Sequence, residues 1–321
     1  MNHPIFHYNP NISVDKSKKS FLTFGNFDGV HVGHQTLLKN LDIQSTLTHS
    51  LSTVLTFYPH PSRLFNPLDP SHLLLTLEDR IDLIFSFGIK CVAVQKFDKS
   101  FAALNADDFC NDYLLNNFNI KGLYVGYDLK YGSMRSGNSN HMNLFCKKNN
   151  FFLQTEKSQS LDNQIVSSSI IRNCLRSGNI KEVNKLLGRF FQLSGVIFKG
   201  DQRGRKMGFP TANIRYTQEA LPAAGVYFVL VSIDGDSHQY PAVMNCGYRP
   251  TISSDLVFQI EAHILNFNKD IYDTEVTFYV LDFLRNEMKF LNIQDLILQI
   301  KKDVESSYNY FAKKGLICPK Q

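Results

Sequence analysis

Apolar and polar residues follow two different patterns along the chain, and the change falls near residue 190. From residue 20 to about 190, short apolar runs alternate with longer stretches in which apolar residues recur every three or four positions. This alternation predicts strands and helices in turn, and hence a Rossmann-like parallel sheet with crossover helices. The predicted strands are FLTFG (21–25), STVLTF (52–57), CVAVQ (91–95) and IKGLYVG (120–126), and the predicted helices are HQTLLKNLDIQSTL, EDRIDLIFSF and ADDFCNDYLLNNF, with an N-cap pair at Thr76 and Asp79.

Beyond residue 190 the helical spacing gives way to short strands separated by Gly, Asn, Asp and Pro. This pattern favours an antiparallel barrel, which one amphipathic helix, IQDLILQIKKDVESSYNYF, follows at the end of the chain. We find no internal repeat and no low-complexity linker, so two domains are expected to abut, residues 1–187 and residues 188–321. The predicted barrel strands are QLSGVIF, GVYFVLVSI, YPAVMN, FQIEAHIL and EVTFYVLDF.

Composition is that of an ordinary globular protein, with 43% hydrophobic and 20% charged residues. The net charge of +5 suits anionic ligands without selecting among them. Six cysteines are scattered without a C-x-x-C pair, which favours reduced thiols and a cytoplasmic location. The N-terminal stretch MNHPIFHYNPNISVDKSKKS lacks the apolar core of a secretory signal, and no run approaches the length of a membrane span, so we expect no membrane partner.

The stretch GNFDGVHVGH (25–34) places two histidines between a predicted strand and a predicted helix. A helix starting near His34 would bring unpaired amides and the positive end of its dipole to both histidines, and such helix ends bind anions. Gly33 allows the backbone to approach a ligand closely, and imidazole N–H groups can donate to phosphate oxygens. Two loop histidines or part of a zinc site are the alternatives, although no nearby cluster supplies further zinc ligands.

Four further stretches accompany this motif in the same half of the chain. They are TFYPHP (56–61), LLTLEDR (74–80), LYVGYDLKYGSMRSGN (123–138) and VSSSIIR (166–172). In this order they resemble the adenylyltransferase half of the bacterial bifunctional riboflavin kinase/FMN adenylyltransferase family, whose members are also called FAD synthetases. The motif His-x-Gly-His alone indicates a nucleotidyltransferase, and the full set is much more specific.

The resemblance implies that His31 and His34 bind the phosphates of ATP and stabilise a five-coordinate α-phosphorus. His60 and Asp128 would contact flavin or phosphate, with a loop histidine and an exposed turn aspartate as the alternatives. The serines before the helix of IIRNCL would meet the triphosphate, or else act only as helix caps. The other residues that the resemblance assigns to the ATP and phosphate site are Gly25, Asn26, Phe27, Asp28, Gly33, Ser168, Ser169 and Arg172.

The reaction that the resemblance implies is attack of the FMN phosphate on the α-phosphorus of ATP, with release of pyrophosphate. This chemistry asks the protein for positioning and charge neutralisation, with Mg²⁺ bridging the triphosphate, and it needs no side-chain nucleophile.

The second half has a signal of its own in LSGVIFKGDQRGRKMGFPTANI (193–214). Three glycines and several basic residues predict a flexible loop that wraps a polyphosphate, although the order of a Walker motif is missing. Thr211 and Asn213 lie two residues apart, so an extended backbone projects both on one face as hard oxygen ligands suited to Mg²⁺. A solvated hairpin and an ordinary turn are the alternatives for these two features.

This stretch resembles the riboflavin kinase half of the same family, and NCGYRPT (245–251) resembles another of its elements. The resemblance implies Mg·ATP at Thr211 and Asn213. Glu261 would be the general base for the terminal ribityl hydroxyl of riboflavin, with a solvent-facing glutamate as the alternative. Within FQIEAHIL, alternation predicts Ile260, Ala262 and Ile264 on one face and Gln259, Glu261 and His263 on the other. The ATP and flavin residues of this half would be Gly200, Arg205, Gly208, Pro210, Asn245 and Arg285, the last with a surface ion pair as its alternative.

The sequence departs from the usual family pattern at five positions. Leu129 and Tyr131 stand where phenylalanines are usual, Asn138 where aspartate is usual, Asp273 where glycine is common and Phe190 where proline is common. The first two would alter flavin packing, and none removes a residue assigned to the chemistry.

The leading hypothesis is therefore a two-domain enzyme that converts riboflavin to FMN and FMN to FAD with ATP. A second hypothesis keeps only one domain active, with the other a nucleotide- or flavin-binding module. A third, a nucleotide-responsive protein that binds RNA, has only the +5 charge in its favour, because no basic and aromatic interleaved stretch is present. We expect no nucleic-acid partner.

Overall fold

The computed structural model describes residues 4–8, 15, 17–68, 72–162, 164–200, 202–250 and 256–316. Thr251, Cys318, the side chain of Arg203 and part of the N-terminal stretch lie outside the described residues. Contacts divide the chain into two compact units, residues 1–168 and residues 169–321. A division by contacts does not assign functional domains, so the boundary between residues 187 and 188 stays a prediction.

The first unit is built on a six-stranded sheet with the order β1-β4-β3-β2-β5-β8, whose strands are given below. Every neighbouring pair is parallel except β1 with β4, which is antiparallel. The predicted parallel sheet is confirmed, and the antiparallel edge strand β1 was not predicted. The strands of this unit are β1 Ile5–Tyr8, β2 Ser20–Phe24, β3 Leu51–Tyr58, β4 Cys91–Lys96, β5 Ile120–Gly126, β6 Lys130–Tyr131, β7 Gly137–Asn138, β8 Phe152–Glu156, β9 Ser160–Leu161 and β10 Gln164–Ile165.

Helices connect the parallel strands as predicted. The N-cap at Thr76 is confirmed, because its side chain accepts a hydrogen bond from the Asp79 amide at 3.1 Å. The helix predicted over residues 106–118 is present as two short α-helices with a π-helix, Phe109–Leu114, between them. The helices of this unit are α1 Val32–Leu47, α2 Pro61–Phe65, α3 Leu77–Phe85, α4 Lys99–Ala102, α5 Ala106–Asp108, α6 Leu115–Asn117 and α7 Ser139–Lys148, with a 3₁₀ turn at Ser133–Arg135.

The core of this unit lies on both faces of the sheet. Alternate residues of each central strand point to opposite faces, so Phe21 and Val54 belong to one buried cluster and Leu22 and Leu55 to the other. Burial on both faces explains why the central strands read as continuous apolar runs.

The predicted antiparallel barrel is confirmed: the second unit is a closed barrel in the order β11-β12-β15-β14-β13-β16. It has six strands, one more than predicted, because β12 was not among the predicted strands. The stretch predicted as a flexible loop contains a one-turn helix, α10, and β12 follows it. The elements, the first of which begins at the last residue of the first unit, are α8 Ser168–Arg176, α9 Ile180–Leu187, β11 Phe191–Phe198, α10 Arg203–Lys206, β12 Ala212–Tyr216, β13 Gly225–Ile233, β14 Gln239–Pro250, β15 Leu256–Ile264, β16 Glu275–Arg285 and α11 Ile293–Lys313.

The C-terminal helix packs on the outside of the barrel. Phe311, which is fully buried, and Tyr308 join a cluster with Phe228, Leu230 and Leu281 from β13 and β16. Residues that alternate with these along β13, such as Val229, are buried as well. The helix therefore covers apolar residues on the outer face of β13.

Two of the departures from the family pattern have a visible structural setting. Asn138 is the N-cap of α7, and its Oδ1 accepts hydrogen bonds from the amides of Asn140 and His141 at 2.9 and 3.1 Å. Asparagine and aspartate cap helices about equally well, so this position keeps its structural role. Asp273 has a φ of 59°, in the left-handed region that favours glycine.

In the described part of the chain, none of the helices has both the length and the apolar character needed to cross a membrane. The described cysteines, Cys91, Cys110, Cys146, Cys174 and Cys246, are thiols that form no disulfide bond with one another.

Candidate active sites

The two histidines of the first unit lie at the amino end of α1. The helix begins at Val32, two residues earlier than predicted, and His31 is its N-cap. The Nδ1 atom of His31 accepts a hydrogen bond from the His34 amide at 3.4 Å, and the two imidazole rings stack with centroids 3.7 Å apart. Both rings therefore stand where the first amides and the positive dipole end of the helix attract an anion.

His34 is held as a neutral imidazole. Burial lowers its pKa well below the usual 6.5, and the neighbouring His31 lowers it further. Among the residues described, its buried Nδ1 atom has no hydrogen-bond partner. An unsatisfied buried nitrogen is costly unless a ligand meets it. A phosphate oxygen at this helix end would supply an acceptor for an N–H at that position.

The loop before the helix has unusual backbone conformations. Phe27 and Val30 have φ values of 51° and 38°, although neither is glycine and both side chains are buried. A Cβ atom on Gly33 would lie 3.2 Å from the His31 ring, so glycine lets the helix backbone approach the imidazole. Non-glycine residues in the left-handed region often occur at functional loops.

Arg80 holds this loop against the neighbouring strand β3, a role that was not predicted from the sequence. Its side chain is 2% exposed, and it donates to the carbonyls of Asn26 at 2.7 Å and Phe57 at 3.2 Å. Asp28 is also buried and accepts from the Leu74 amide at 2.9 Å. A signal was available, because Arg80 falls in line with Leu77, Ile81 and Ile84 on the apolar side of α3.

His60 and Asp128 occupy different surroundings from the two histidines. His60 is the N-cap of α2, and its Nδ1 lies 2.8 Å from Ser62 Oγ and accepts from the Ser62 amide at 3.2 Å. Asp128 is exposed in the turn after β5, beside Gly126. These positions leave the assigned contacts with flavin or phosphate as predictions.

An aromatic cavity of about 750 Å³ lies beside the histidine loop in the first unit. Gly25 and Asn26 line one side of it, and the segment 132–135 lines another. Leu129, one of the departures, also lines it. The aromatic lining consists of Phe24, Phe57, Phe65, Phe97, Phe101, Phe109 and Tyr131. Such a lining suits a planar conjugated ring.

The serine run begins the helix α8. Ser168 Oγ donates to the backbone carbonyl of Asp28 at 2.7 Å, so this residue of the first unit is tied to the histidine loop. Ser169 and Arg172 follow in the same helix, and Arg172 is buried. The bond formed by Ser168 goes to protein backbone, so helix capping alone does not describe this serine.

The barrel places Glu261 at the centre of a polar cluster. Thr211 Oγ1 donates to Glu261 Oε2 at 3.1 Å. Glu261 is directly opposite Asn213 on β12 and Asn245 on β14, so the three side chains lie on one face. Ile260 and the alternate residues of β15 are buried, as the alternation predicted.

His263, two residues along β15, lies on the same face as Glu261. Its Nδ1 donates to the Pro210 carbonyl at 2.8 Å, and its pKa is lowered by burial against the opposing effect of that bond. It therefore fixes the backbone next to Thr211. Alternation along β15 predicted this face for His263, but no role for it was predicted.

Glycines bring the loop before β12 close to the cluster. A Cβ atom on Gly200 would lie 2.7 Å from the Asn213 amide nitrogen, so a side chain there would displace that amide. Gly208 has a φ of 89°, which other residues rarely adopt. Glycine is therefore favoured at position 200 by the lack of space for a side chain and at position 208 by its backbone conformation.

A second cavity, of about 270 Å³, opens beside this loop within the second unit. Arg205, Pro210 and Thr211 line it, and Lys269 adds a second cation. Its apolar part is formed by Ile197, Ala262, Ile264, Phe267 and Ile271. The apolar part suits a base and Arg205 suits a phosphate, whereas Lys269 is paired with Asp236 at 3.2 Å and Asp270 adds a carboxylate to the lining.

Arg285 is not among the residues that line this cavity. Its guanidinium forms a two-pronged ion pair with Asp303 of α11, with Nε–Oδ1 and Nη2–Oδ2 distances of 2.9 and 2.6 Å. Arg285 therefore forms an ion pair, as in the alternative interpretation of this residue, and its contact with ATP or flavin stays a prediction.

The cluster around Glu261 fits a hard cation held together with a nucleotide. In the described ranges, no group of three or more His, Cys, Asp or Glu side chains could hold a metal by itself. Thr211 and Asn213 provide a hydroxyl and an amide oxygen beside one carboxylate. Mg²⁺ is commonly bound by few protein ligands together with substrate phosphates, and this donor set agrees with that habit.

Comparison with known proteins finds related sequences over both units. A family model described as FAD synthetase matches residues 13–170, and one described as riboflavin kinase matches residues 187–311. A bifunctional riboflavin kinase/FMN adenylyltransferase of Haemophilus influenzae is 37% identical over 290 residues, which cover 90% of this chain and 94% of the relative. Its counterpart in Bacillus subtilis is 33% identical over 305 residues, with coverage of 93% and 94%.

A solved structure has the same fold over nearly the whole chain. The crystal structure of a protein from Streptococcus pneumoniae, described as a macrolide-efflux protein, has a TM-score of 0.82 and 29% identity, and the match covers 92% of this chain and 96% of that one. Because relatives above 30% identity span nine-tenths of the sequence and both units are matched, the chain belongs to the bifunctional riboflavin kinase/FMN adenylyltransferase family.

Proposed function

We propose that this chain makes FMN from riboflavin and ATP in its barrel and FAD from FMN and ATP in its α/β unit, releasing pyrophosphate in the second reaction. The observation that supports this most directly is that each unit has, beside a cavity, a loop with groups suited to binding phosphate. These are the histidine loop at α1 with the aromatic cavity, and the loop before β12 with the cavity at Thr211.

In the α/β unit, the aromatic cavity would hold the flavin ring and the end of α1 would hold the phosphates. The FMN phosphate oxygen attacks the α-phosphorus of ATP, and pyrophosphate leaves. His31 and His34 would donate to the phosphoryl oxygens as negative charge builds on them. Because the phosphate of FMN is already an anion at neutral pH, the step needs no general base, which agrees with a neutral His34.

In the barrel, Glu261 would take the proton of the terminal ribityl hydroxyl while that oxygen attacks the γ-phosphorus of ATP. Thr211 holds the carboxylate by donating its hydroxyl proton. A hydroxyl that donates in this way keeps its oxygen lone pairs, so the same Thr211 remains a cation ligand together with Asn213. Mg²⁺ at these two residues would neutralise the phosphate charge of ATP.

We also infer a cytoplasmic location, which the thiol state of the described cysteines supports. The functional domains are proposed as residues 1–187 for adenylyl transfer and 188–321 for the kinase.

The test is to incubate the purified chain with riboflavin, ATP and Mg²⁺, under air and under reducing conditions, and to separate the flavins by chromatography. The proposal expects FMN first and then FAD. FMN without FAD would leave only the barrel active, and an absence of both products under both conditions would overturn the proposal. A parallel reaction that starts from FMN tests the second step alone.

A further inference from the structure

Four polar side chains form one hydrogen-bonded series behind the wall of the aromatic cavity. The Cys110 thiol donates to the Tyr131 hydroxyl oxygen at 3.5 Å. That oxygen lies 2.6 Å from His141 Nδ1, and His141 Nε2 lies 3.1 Å from a carboxylate oxygen of Asp107. The series joins the π-helix, β6, α7 and α5, all within the first unit.

The carboxylate fixes the direction of each bond. The contact with the Asp107 carboxylate assigns the imidazole N–H of His141 to Nε2 and leaves Nδ1 as an acceptor. The Tyr131 hydroxyl then donates to Nδ1 and accepts from the thiol. Burial raises the pKa of Cys110 to about 11 and raises that of Tyr131 as well, so both groups keep their protons at neutral pH. The hydroxyl of Tyr131 therefore points toward His141.

The ring of Tyr131 is part of the cavity wall. The residue is 8% exposed, and its ring packs against Phe24 and Phe109 with centroid distances of 5.7 and 5.4 Å. On another side, the backbone of Gly137 is so close that a Cβ atom there would lie 2.5 Å from the ring. The aromatic face of Tyr131 is thus clamped, and its hydroxyl is tied to a residue that does not line the cavity.

We propose that His141 is a positioning residue for adenylyl transfer, which holds the Tyr131 ring in the cavity wall by accepting a hydrogen bond from its hydroxyl. The inference rests on the proposed function, because it takes the flavin ring as the occupant of the cavity. Without an acceptor at residue 141, the proton of this buried hydroxyl would have no partner, although its oxygen still accepts from Cys110. The ring would then lose the bond that fixes its hydroxyl end, and the wall against which the flavin ring packs would be less well ordered.

A matched pair of substitutions separates the two ends of the imidazole. The amide of His141→Asn reaches the position of Nδ1 and can still accept from Tyr131, whereas that of His141→Gln reaches the position of Nε2 and keeps only the contact with Asp107. The readout is KM for FMN and kcat of FAD formation, with riboflavin kinase activity of the same chain as an internal control. We expect His141→Gln to raise KM for FMN about threefold or more, with kcat changed less than about twofold, and His141→Asn to stay close to the original enzyme.

Removal of the hydroxyl supplies the rescue. In the double variant Tyr131→Phe with His141→Gln no buried hydroxyl needs a partner, so KM for FMN should return toward its original value. The pair His141→Leu and Tyr131→Phe with His141→Leu carries the same expectation and replaces the first set if the glutamine variant does not fold. Equal KM values in the asparagine and glutamine variants, or a double variant as impaired as its single parent, would overturn the inference.

The same assay distinguishes failure of the role of His141 from failure of the proposed FMN adenylyltransferase activity on which it rests. An unmodified chain that makes no FAD contradicts the proposed function. An active chain whose KM for FMN ignores these substitutions contradicts only the role of His141.

Discussion

Thr211 donates a hydrogen bond to Glu261 across 3.1 Å, and the two residues come from segments 50 positions apart in the chain. The bond holds a carboxylate beside the cavity that Thr211 lines. Closure of the barrel brings the two together, because β12 and β15 are neighbouring strands. The position of the Glu261 carboxylate and of the Thr211 hydroxyl that orients it therefore depends on correct strand pairing.

Glu261→Gln should lower FMN formation by at least about 100-fold, because the amide cannot accept the ribityl proton as a base. FAD formation from supplied FMN should be unchanged, and both rates are measured by separating the flavins. Thr211→Ser serves as the matched control, since it keeps the hydroxyl and should retain most of the kinase activity. Loss of both activities in Glu261→Gln would argue against two independent sites.

His31→Ala should have the opposite effect. Loss of an imidazole at the phosphate position should reduce FAD formation by about 100-fold or more. Riboflavin phosphorylation by the same preparation is expected to continue at its original rate, which also shows that the variant is folded in its barrel. An FAD rate within tenfold of the original would remove His31 from the proposed chemistry.

The pH dependence of stability should carry a contribution from His34. Its pKa is lowered in the folded state by burial and by His31, so the unfolded chain binds more protons as the pH falls. Stability from this residue is present above pH 6.5, the usual value, and is lost as the pH falls below it toward the folded pKa.

We therefore expect the Tm of the first unit to fall between pH 7 and pH 5, and to fall less in His34→Gln. Calorimetry at several pH values measures the difference between the two proteins, which removes the contributions of other titrating groups. Parallel curves for the two proteins would show that the buried His34 imidazole does not titrate in this way.

Arg80→Met should destabilise the first unit by about 2–4 kcal/mol, because the carbonyls of Asn26 and Phe57 lose buried donors while the apolar volume is largely kept. Denaturant unfolding measures this change. Lys147→Met, at an exposed position of α7 in the same unit, is the control and should stay within about 0.5 kcal/mol. If the histidine loop depends on this clamp, FAD formation should also weaken while FMN formation persists.

Local periodicity predicted most strands and helices, because each of these elements buries residues at its own repeat. The buried Ile260, Ala262 and Ile264 and the outward Glu261 are the clearest example. The edge strand β1 was not predicted, because its four residues are mostly exposed and show no alternation of buried and exposed positions. The start of α1 at Val32 was not predicted, because its N-cap is a histidine, which is not among the usual N-cap residues.

Interactions between distant segments were harder to predict than the elements themselves. Arg80 meets Asn26 across 54 positions, and Tyr131 meets His141 across a hairpin and a helix start. Such pairs depend on how elements pack, which the spacing of residues within one element does not encode. The resemblance to the family predicted roles for the histidine loop and for the residues around Glu261. The aromatic cavity was not predicted, because its lining comes from segments that meet only in the folded chain.

The position of Glu261 between Asn213 and Asn245 has a consequence for how the barrel assembles. A slip of one residue in β15 would put Ile260 or Ala262 between the two asparagines and turn the glutamate into the packed interior. An unpaired carboxylate among aliphatic side chains is strongly disfavoured. A barrel in which this strand is mispaired is therefore unstable, so only chains with the correct register, and hence with Glu261 in place, fold stably.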